Sequence, residues 1–211
     1  MPKDAIVEVY ERQARAYDRD RGRTLQERAW LERFLGHVRP GGTVLDLGCG
    51  MGEPIARHLL ASGVEVVGVD TSPTMIALCR ARFPNSEWLV ADMRQLALGR
   101  RFAGILAWDS FFHLSMGDQR AMFPRFASHA QPGAPLLFTS GPAAGETIGT
   151  CCGEPLFHAS LSPAEYQQLL VTDGFVLRAH VAEDPQCGLH TVWLATRETA
   201  PAAGSRMAAG R

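Results

Sequence analysis

Apolar residues in the first forty positions recur at helical spacing. Ile6, Val9, Tyr10, Ala14 and Tyr17 share one face of residues 4–18, with Glu8, Glu11, Arg12 and Arg15 elsewhere, and this predicts an amphipathic helix. Leu31, Phe34, Leu35 and Val38 mark a second helix over 24–38, which Pro40-Gly41-Gly42 must stop. The pattern then changes. Thr43–Leu47 is a short apolar strand running through a glycine turn into a helix over 53–62, and Val64–Val69 is a nearly continuous β-branched run. Such a run predicts a strand buried on both faces, as in parallel sheets covered by helices.

Ser72-Pro73 is a helix start, a capping hydroxyl followed by proline at the first helical position. Strands are predicted over 88–91, 104–108 and 134–139, with a helix over 118–130. Residues 141–157 hold four glycines and two prolines without a period and read as a long loop. Ser162-Pro163-Ala164-Glu165 is a capping box opening a helix to Thr172, and strands over 175–181 and 191–195 close the order. The alternation implies an α/β fold: a doubly wound, mostly parallel seven-stranded sheet with helices on both faces and a small N-terminal helical cap. The expected organisation is a cap over 1–39, a Rossmann-like domain over 40–197 with an active-site loop at 141–160, and a disordered tail over 198–211.

Composition excludes more than it selects. With 21 basic and 22 acidic residues the net charge is −1, so nothing draws the chain to nucleic acid. Lys3 is the only lysine, which reads as compositional bias. Five cysteines, two of them adjacent at 151 and 152, suggest neither a disulfide framework nor a metal site. No apolar run reaches the roughly 18 residues of a membrane span. The first residues are too charged for a signal peptide, so a cytoplasmic protein is expected, monomeric or homodimeric.

The chemistry concentrates at predicted strand ends. In Val44-Leu45-Asp46-Leu47-Gly48-Cys49-Gly50-Met51-Gly52, three glycines let the backbone turn tightly and admit a ligand to main-chain atoms. Asp46 suits a cationic ligand better than a pyrophosphate, and Glu53 stands where a dinucleotide fingerprint wants glycine or alanine. Asp70 closes the second strand, where an acid can accept from both ribose hydroxyls. Asp92, followed by Met93, closes the third and can accept from an adenine amino group.

VLDLGCGMG, VVGVD with TSPTM after it, and VADM resemble the successive cofactor motifs of class I S-adenosylmethionine-dependent methyltransferases, over roughly residues 40–140. The resemblance implies S-adenosylmethionine as cofactor. Gly48, Cys49 and Gly50 would form the platform for its methionine part, with Asp46 near the amino group. Asp70 would hold the ribose, flanked by Thr71 and Met75, and Asp92 would read the adenine with Met93 on the ring. Tyr10 and Tyr17 resemble tyrosines that close over the site in many members. The fourth-strand end, Ala107-Trp108-Asp109-Ser110-Phe111-Phe112-His113, borders the transferable methyl group in the family. That makes Trp108 a cofactor neighbour and Asp109 and His113 catalytic candidates. His158, in the predicted loop, is a further candidate base. No N/D-P-P-Y/F motif follows the fourth strand, so the expected acceptor is a small molecule methylated on O or N. Two alternatives stay open: a nicotinamide-dependent oxidoreductase and a non-catalytic adenosylmethionine-binding protein.

Overall fold

The computed structural model describes residues 5–199. Two helices, α1 (Ala5–Asp20) and α2 (Arg28–Leu35), precede β1 (Thr43–Leu47). Then come α3 (Ile55–Ala61), β2 (Glu65–Asp70), α4 (Pro73–Arg82), β3 (Glu87–Val90), β4 (Gly104–Ala107), α5 (Met116–His129) and β5 (Pro135–Ser140). The chain closes with β6 (Gly145–Cys151), β7 (Glu154–Ser160), α6 (Pro163–Thr172), β8 (Phe175–Asp184) and β9 (His190–Arg197).

Seven strands form one sheet in the order β3-β2-β1-β4-β5-β9-β8. β1, β2, β3, β4 and β5 are parallel, while β9 pairs antiparallel with both β5 and β8. This is the expected mostly parallel, doubly wound sheet. Alternation along each strand divides the core in two. Leu45, Leu47, Ile105 and Phe138 pack on one face with Phe123 and Phe126 of α5 and Tyr166 of α6. Val44, Val66, Leu106 and Leu137 pack on the other with Phe34 of α2, Leu59 of α3 and Ile76 of α4. The chain order reverses between β1 and β4, and beyond the C-terminal ends of these strands a crevice opens, as such sheets require.

Two local expectations are corrected. Residues 141–157 are not a long loop: β6 and β7 form an antiparallel hairpin. Its turn is Cys152-Gly153, with φ of 51° and 81°. Two successive positive φ values make the tight connection whose twist matches the strands it joins. The glycines in β6 hid its period, and its strand character shows only against its partner. The expected tail follows directly on β9, which ends at Arg197, and its first residue, Glu198, donates its N–H to the Gly174 carbonyl at 2.9 Å. The rest of that segment, 200–211, lies outside the described residues. α2 is also a turn shorter at its start than predicted, since 24–27 form turns instead of helix.

Candidate active site

β1 leaves the sheet at Leu47, and the chain reverses through Gly48, Gly50 and Gly52, all at positive φ. The Gly48 and Cys49 N–H groups both donate to the Val69 carbonyl at the end of β2. A Cβ on Gly48 would stand 2.2 Å from the Ser110 Cβ, so only glycine fits between the two strand ends. A cavity of about 380 Å³ lies over this turn. That is within the rough 300–1,000 Å³ range of small-molecule sites.

Thirteen of the fifteen residues singled out from the sequence line this cavity: Tyr10, Tyr17, Gly48, Cys49, Gly50, Asp70, Thr71, Met75, Asp92, Met93, Trp108, Asp109 and His113. Asp70 accepts from the Gly50 N–H and the Ser72 N–H, each at 2.9 Å. A carboxylate has about four lone-pair sites, so acceptor capacity remains for a ligand hydroxyl. Burial pushes the Asp70 carboxyl above its ordinary range, against these backbone hydrogen bonds. Asp92 caps the short turn Met93–Gln95. It is also gripped by Arg94, whose Nε lies 3.0 and 2.8 Å from its two oxygens. Burial opposes its charge, but the Arg94 contacts prevail and hold it below the usual carboxylate range.

Two expected residues are placed elsewhere. Asp46 is buried behind the turn and is not on the cavity wall. Its carboxyl is pushed up to about 7 by burial and, second, by the charge of Asp70. A carboxyl raised in this way adds stability below its unfolded value near 3.8, which is lost as pH rises toward 7. Asp46→Asn should therefore raise the thermal midpoint at pH 8 by on the order of 5 °C and leave it little changed at pH 4. Melting curves at both pH values check this; equal shifts would show that the carboxyl is not the cause. His158 is the other. It is not among the residues lining the cavity; its ring lies edge-on to Phe112 and tilted to His113, with centroids 4.8 and 4.9 Å away, and covers Gly149.

Asp109 reaches the wall, but its carboxylate turns to His190 Nε2 at 2.9 Å, with Arg21 at 4.0 Å. That close contact with the Asp109 carboxylate raises the His190 pKa above its ordinary value. Asp109 holds a positive φ of 49°, and its N–H donates to Thr139 Oγ1. No local pattern points to this network, because His190 and Arg21 come from opposite ends of the chain.

The decisive side-chain pairing was also invisible at a separation of 103 residues. Tyr10 of α1 and His113, in the turn Phe111–His113 after β4, meet with hydroxyl oxygen and Nε2 2.9 Å apart. His113 Nδ1 lies 3.1 Å from the Phe157 carbonyl of β7. A carbonyl only accepts, so Nδ1 carries the proton, and Nε2 accepts from the Tyr10 hydroxyl. Burial lowers the His113 pKa to about 4, so the ring is neutral near pH 7.

α1 forms the roof. Ile6, Val7, Tyr10 and Tyr17 line the cavity, and Ala14 packs with Met51 and Met75 beneath it. Polar contacts fasten it at both ends of α4. Glu11 accepts from the Thr74 N–H at 3.1 Å and from the hydroxyls of Thr74 and Ser72, and Asp18 pairs with Arg82 at 2.5 Å. Glu154, beside the hairpin turn, binds Arg12 and Gln13 of α1 at 2.6 and 2.7 Å.

A doubly wound sheet with a glycine turn after β1, acids at the ends of β2 and β3, and a cavity over them defines a Rossmann-like, class I methyltransferase fold. A family described as a methyltransferase domain matches residues 44–133. The dTDP-3-amino-3,6-dideoxy-alpha-D-glucopyranose N,N-dimethyltransferase of Streptomyces fradiae is 32% identical over 154 residues, 68% of this chain and 59% of that protein. A trans-aconitate 2-methyltransferase of Azoarcus is 34% identical over 102 residues, 44% of this chain and 37% of its own. The chain thus spans about half the length of the curated relatives it matches. Among solved structures, DhpI in complex with SAH superposes with a TM-score of 0.72 at 20% identity, over 94% of this chain and 98% of that one. CcbJ methyltransferase from Streptomyces caelestis gives 0.70 at 20%, over 89% and 96%. Residues 44–133 thus carry a methyltransferase domain, on the Rossmann-like fold that those structures share. No described helix is long and apolar enough to cross a membrane.

Proposed function

We propose that this chain transfers a methyl group from S-adenosylmethionine to the nitrogen of a small-molecule amine. The observation that carries the reading is a single cavity bounded by the glycine turn and strand-end acids on one side and by the Tyr10–His113 pair on the other. The residues present fit the cofactor. The Gly48–Gly50 turn exposes its backbone and would hold the methionine part; Asp70 has acceptor capacity left and would take the ribose; Thr71 and Met75 would flank the adenosine, and Asp92 and Met93 would read the adenine. Trp108 would wall the methyl-bearing end. Asp46, behind the turn, would act on the cofactor's positive charge through space. When bound, the cofactor supplies a methyl group on a sulfonium and leaves as a neutral thioether.

The chain's own contribution is positioning and exclusion of water. With its proton given to His113, the Tyr10 oxygen keeps a lone pair that accepts from an acceptor N–H. That interaction fixes the direction of the nitrogen lone pair. A neutral amine needs no base before it attacks, which suits a histidine whose proton affinity burial has lowered. Oxygen as the methylated atom is the second reading, and it would require Tyr10 or His113 to remove a proton. Nitrogen is favoured by that low basicity and by the amine substrates in the names of two relatives, the Streptomyces fradiae enzyme and its Streptomyces venezuelae counterpart.

Calorimetry with S-adenosylmethionine and its demethylated product tests the cofactor half of this reading; no heat with either ligand defeats it. Asp70→Ala should weaken binding by roughly 1.5–3 kcal/mol, the scale of hydrogen bonds to a charged group. Unchanged affinity would remove Asp70 from the ribose site. A screen of small amines with methyl-labelled cofactor, read by mass spectrometry, tests the acceptor half.

A further inference from the structure

The acceptor region of the cavity is contributed by α1, the start of α5 and the β6–β7 hairpin. Ile6, Val7, Leu114 and Phe157 supply its apolar surface. Ile148 lies opposite Phe157 in the hairpin register, so it shares that face, and it is 56% exposed. Such a surface calls for an apolar portion on whatever binds.

The charges lining the whole cavity are one-sided. Glu53, Asp70, Asp92, Asp109, Asp118 and Glu146 are acidic. Among the described residues on the wall the basic side chain is Arg94, and Asp92 grips it with both oxygens. The helix that begins at the acceptor region brings no anion site either. Ser115 caps α5, accepting from the Asp118 N–H, and the Asp118 carboxylate already occupies the first turn. A phosphate group needs arginine or lysine forks or an open helix N-terminus. The described wall offers neither, and Glu146 on β6 adds a carboxylate that draws a protonated amine in.

Building on the methyltransferase reading, we propose that the acceptor is an amine without a phosphate group, carrying an apolar portion that lies against Ile6, Val7, Leu114 and Phe157, with Glu146 attracting its protonated form, which sheds its proton to solvent before the neutral amine reacts. The nucleotide-linked amino sugars named for two relatives are then not its substrates.

Two probes share one amine and differ only in this handle: the hexyl glycoside of 3-amino-3,6-dideoxyglucose and the same sugar linked to thymidine diphosphate. Each is titrated by calorimetry into the full chain saturated with S-adenosylhomocysteine. The hexyl glycoside should bind at least about 10-fold more tightly. Glu146 is exposed on β6, so Glu146→Lys should fold normally. It should narrow the preference several-fold without changing the affinity for S-adenosylhomocysteine. Tighter or equal binding of the nucleotide-linked sugar overturns the proposal. So does failure of both probes to bind a protein that does bind S-adenosylhomocysteine. If S-adenosylhomocysteine itself does not bind, the methyltransferase reading is what has failed.

Discussion

Gly48→Ala should lower the unfolding midpoint by roughly 5–15 °C and abolish measurable cofactor binding. Two costs combine. At φ 74° an alanine sits in the left-handed region, worth roughly 1–2 kcal/mol against it. Its Cβ would also stand 2.2 Å from the Ser110 Cβ and 2.8 Å from the Ser110 Oγ. Ser110 cannot swing aside freely, because its hydroxyl donates to the Leu47 carbonyl at 2.6 Å. Overpacking of that kind costs roughly 1–3 kcal/mol more. The total converts to the stated shift at roughly 2–4 °C per kcal/mol for a domain of this size. Gly50→Ala is the control: it has positive φ of 52° but nothing within 4 Å of its new Cβ. It should carry only the backbone cost, melt at most half as far below the parent, and still lose cofactor affinity because the methyl group points into the open turn. Melting curves and calorimetry on both variants separate the effects. If the two variants melt together, Ser110 does not buttress the turn.

Deletion of residues 1–17 should reduce turnover by about 10²-fold or more while the sheet stays cooperatively folded. The scale is that of misplaced reactants, since Tyr10 and the roof go together. Neither large core cluster contains a residue of α1. What is lost is the small cluster of Ala14, Met51 and Met75, the Glu11 contacts at α4 and the Tyr10–His113 bond. The N-terminus of α4 keeps its own cap, the Ser72 hydroxyl accepting from the Met75 N–H. Circular dichroism should therefore show a single transition, and labelled-methyl assays should show the loss. In the intact chain, amide exchange in α1 and in β6–β7 should slow when S-adenosylhomocysteine binds, with β1 and β2 protected throughout. Full activity of the deleted chain would end the description of α1 as the roof of the reaction site.

The hairpin marks where sequence reading stopped. Gly145, Gly149 and Gly153 look like loop punctuation, and the alternation of Glu146, Ile148 and Thr150 is too short to outweigh them. β6 becomes a strand because β7 offers it seven paired positions and a turn of two positive-φ residues. Neither is a local property of residues 141–157. The same holds for His158. A histidine in a glycine-rich segment after the fifth strand looks like a free loop residue until the pairing register lays its ring on Gly149.

Local chemistry was sufficient where one short segment carried both the conformational demand and its solution. The β-branched run at Val64–Val69 could only be a strand buried on both faces. Ser72-Pro73 and Ser162-Pro163 had to start helices, because each places a capping hydroxyl before a residue with φ already set. Glycines at 48, 50 and 52 between a strand and a helix had to make a tight turn. With acids at the next two strand ends, they gave the fold, the cofactor class and most of the wall. Only tertiary structure decided what the acids and histidines do. It brought Tyr10 to His113, turned Asp109 toward His190, set Arg94 on Asp92 and buried Asp46 behind the turn. Each of these depends on which residues from distant segments share a low-dielectric space, where a single partner changes the proton affinity and direction of a side chain. No spacing along the chain encodes that.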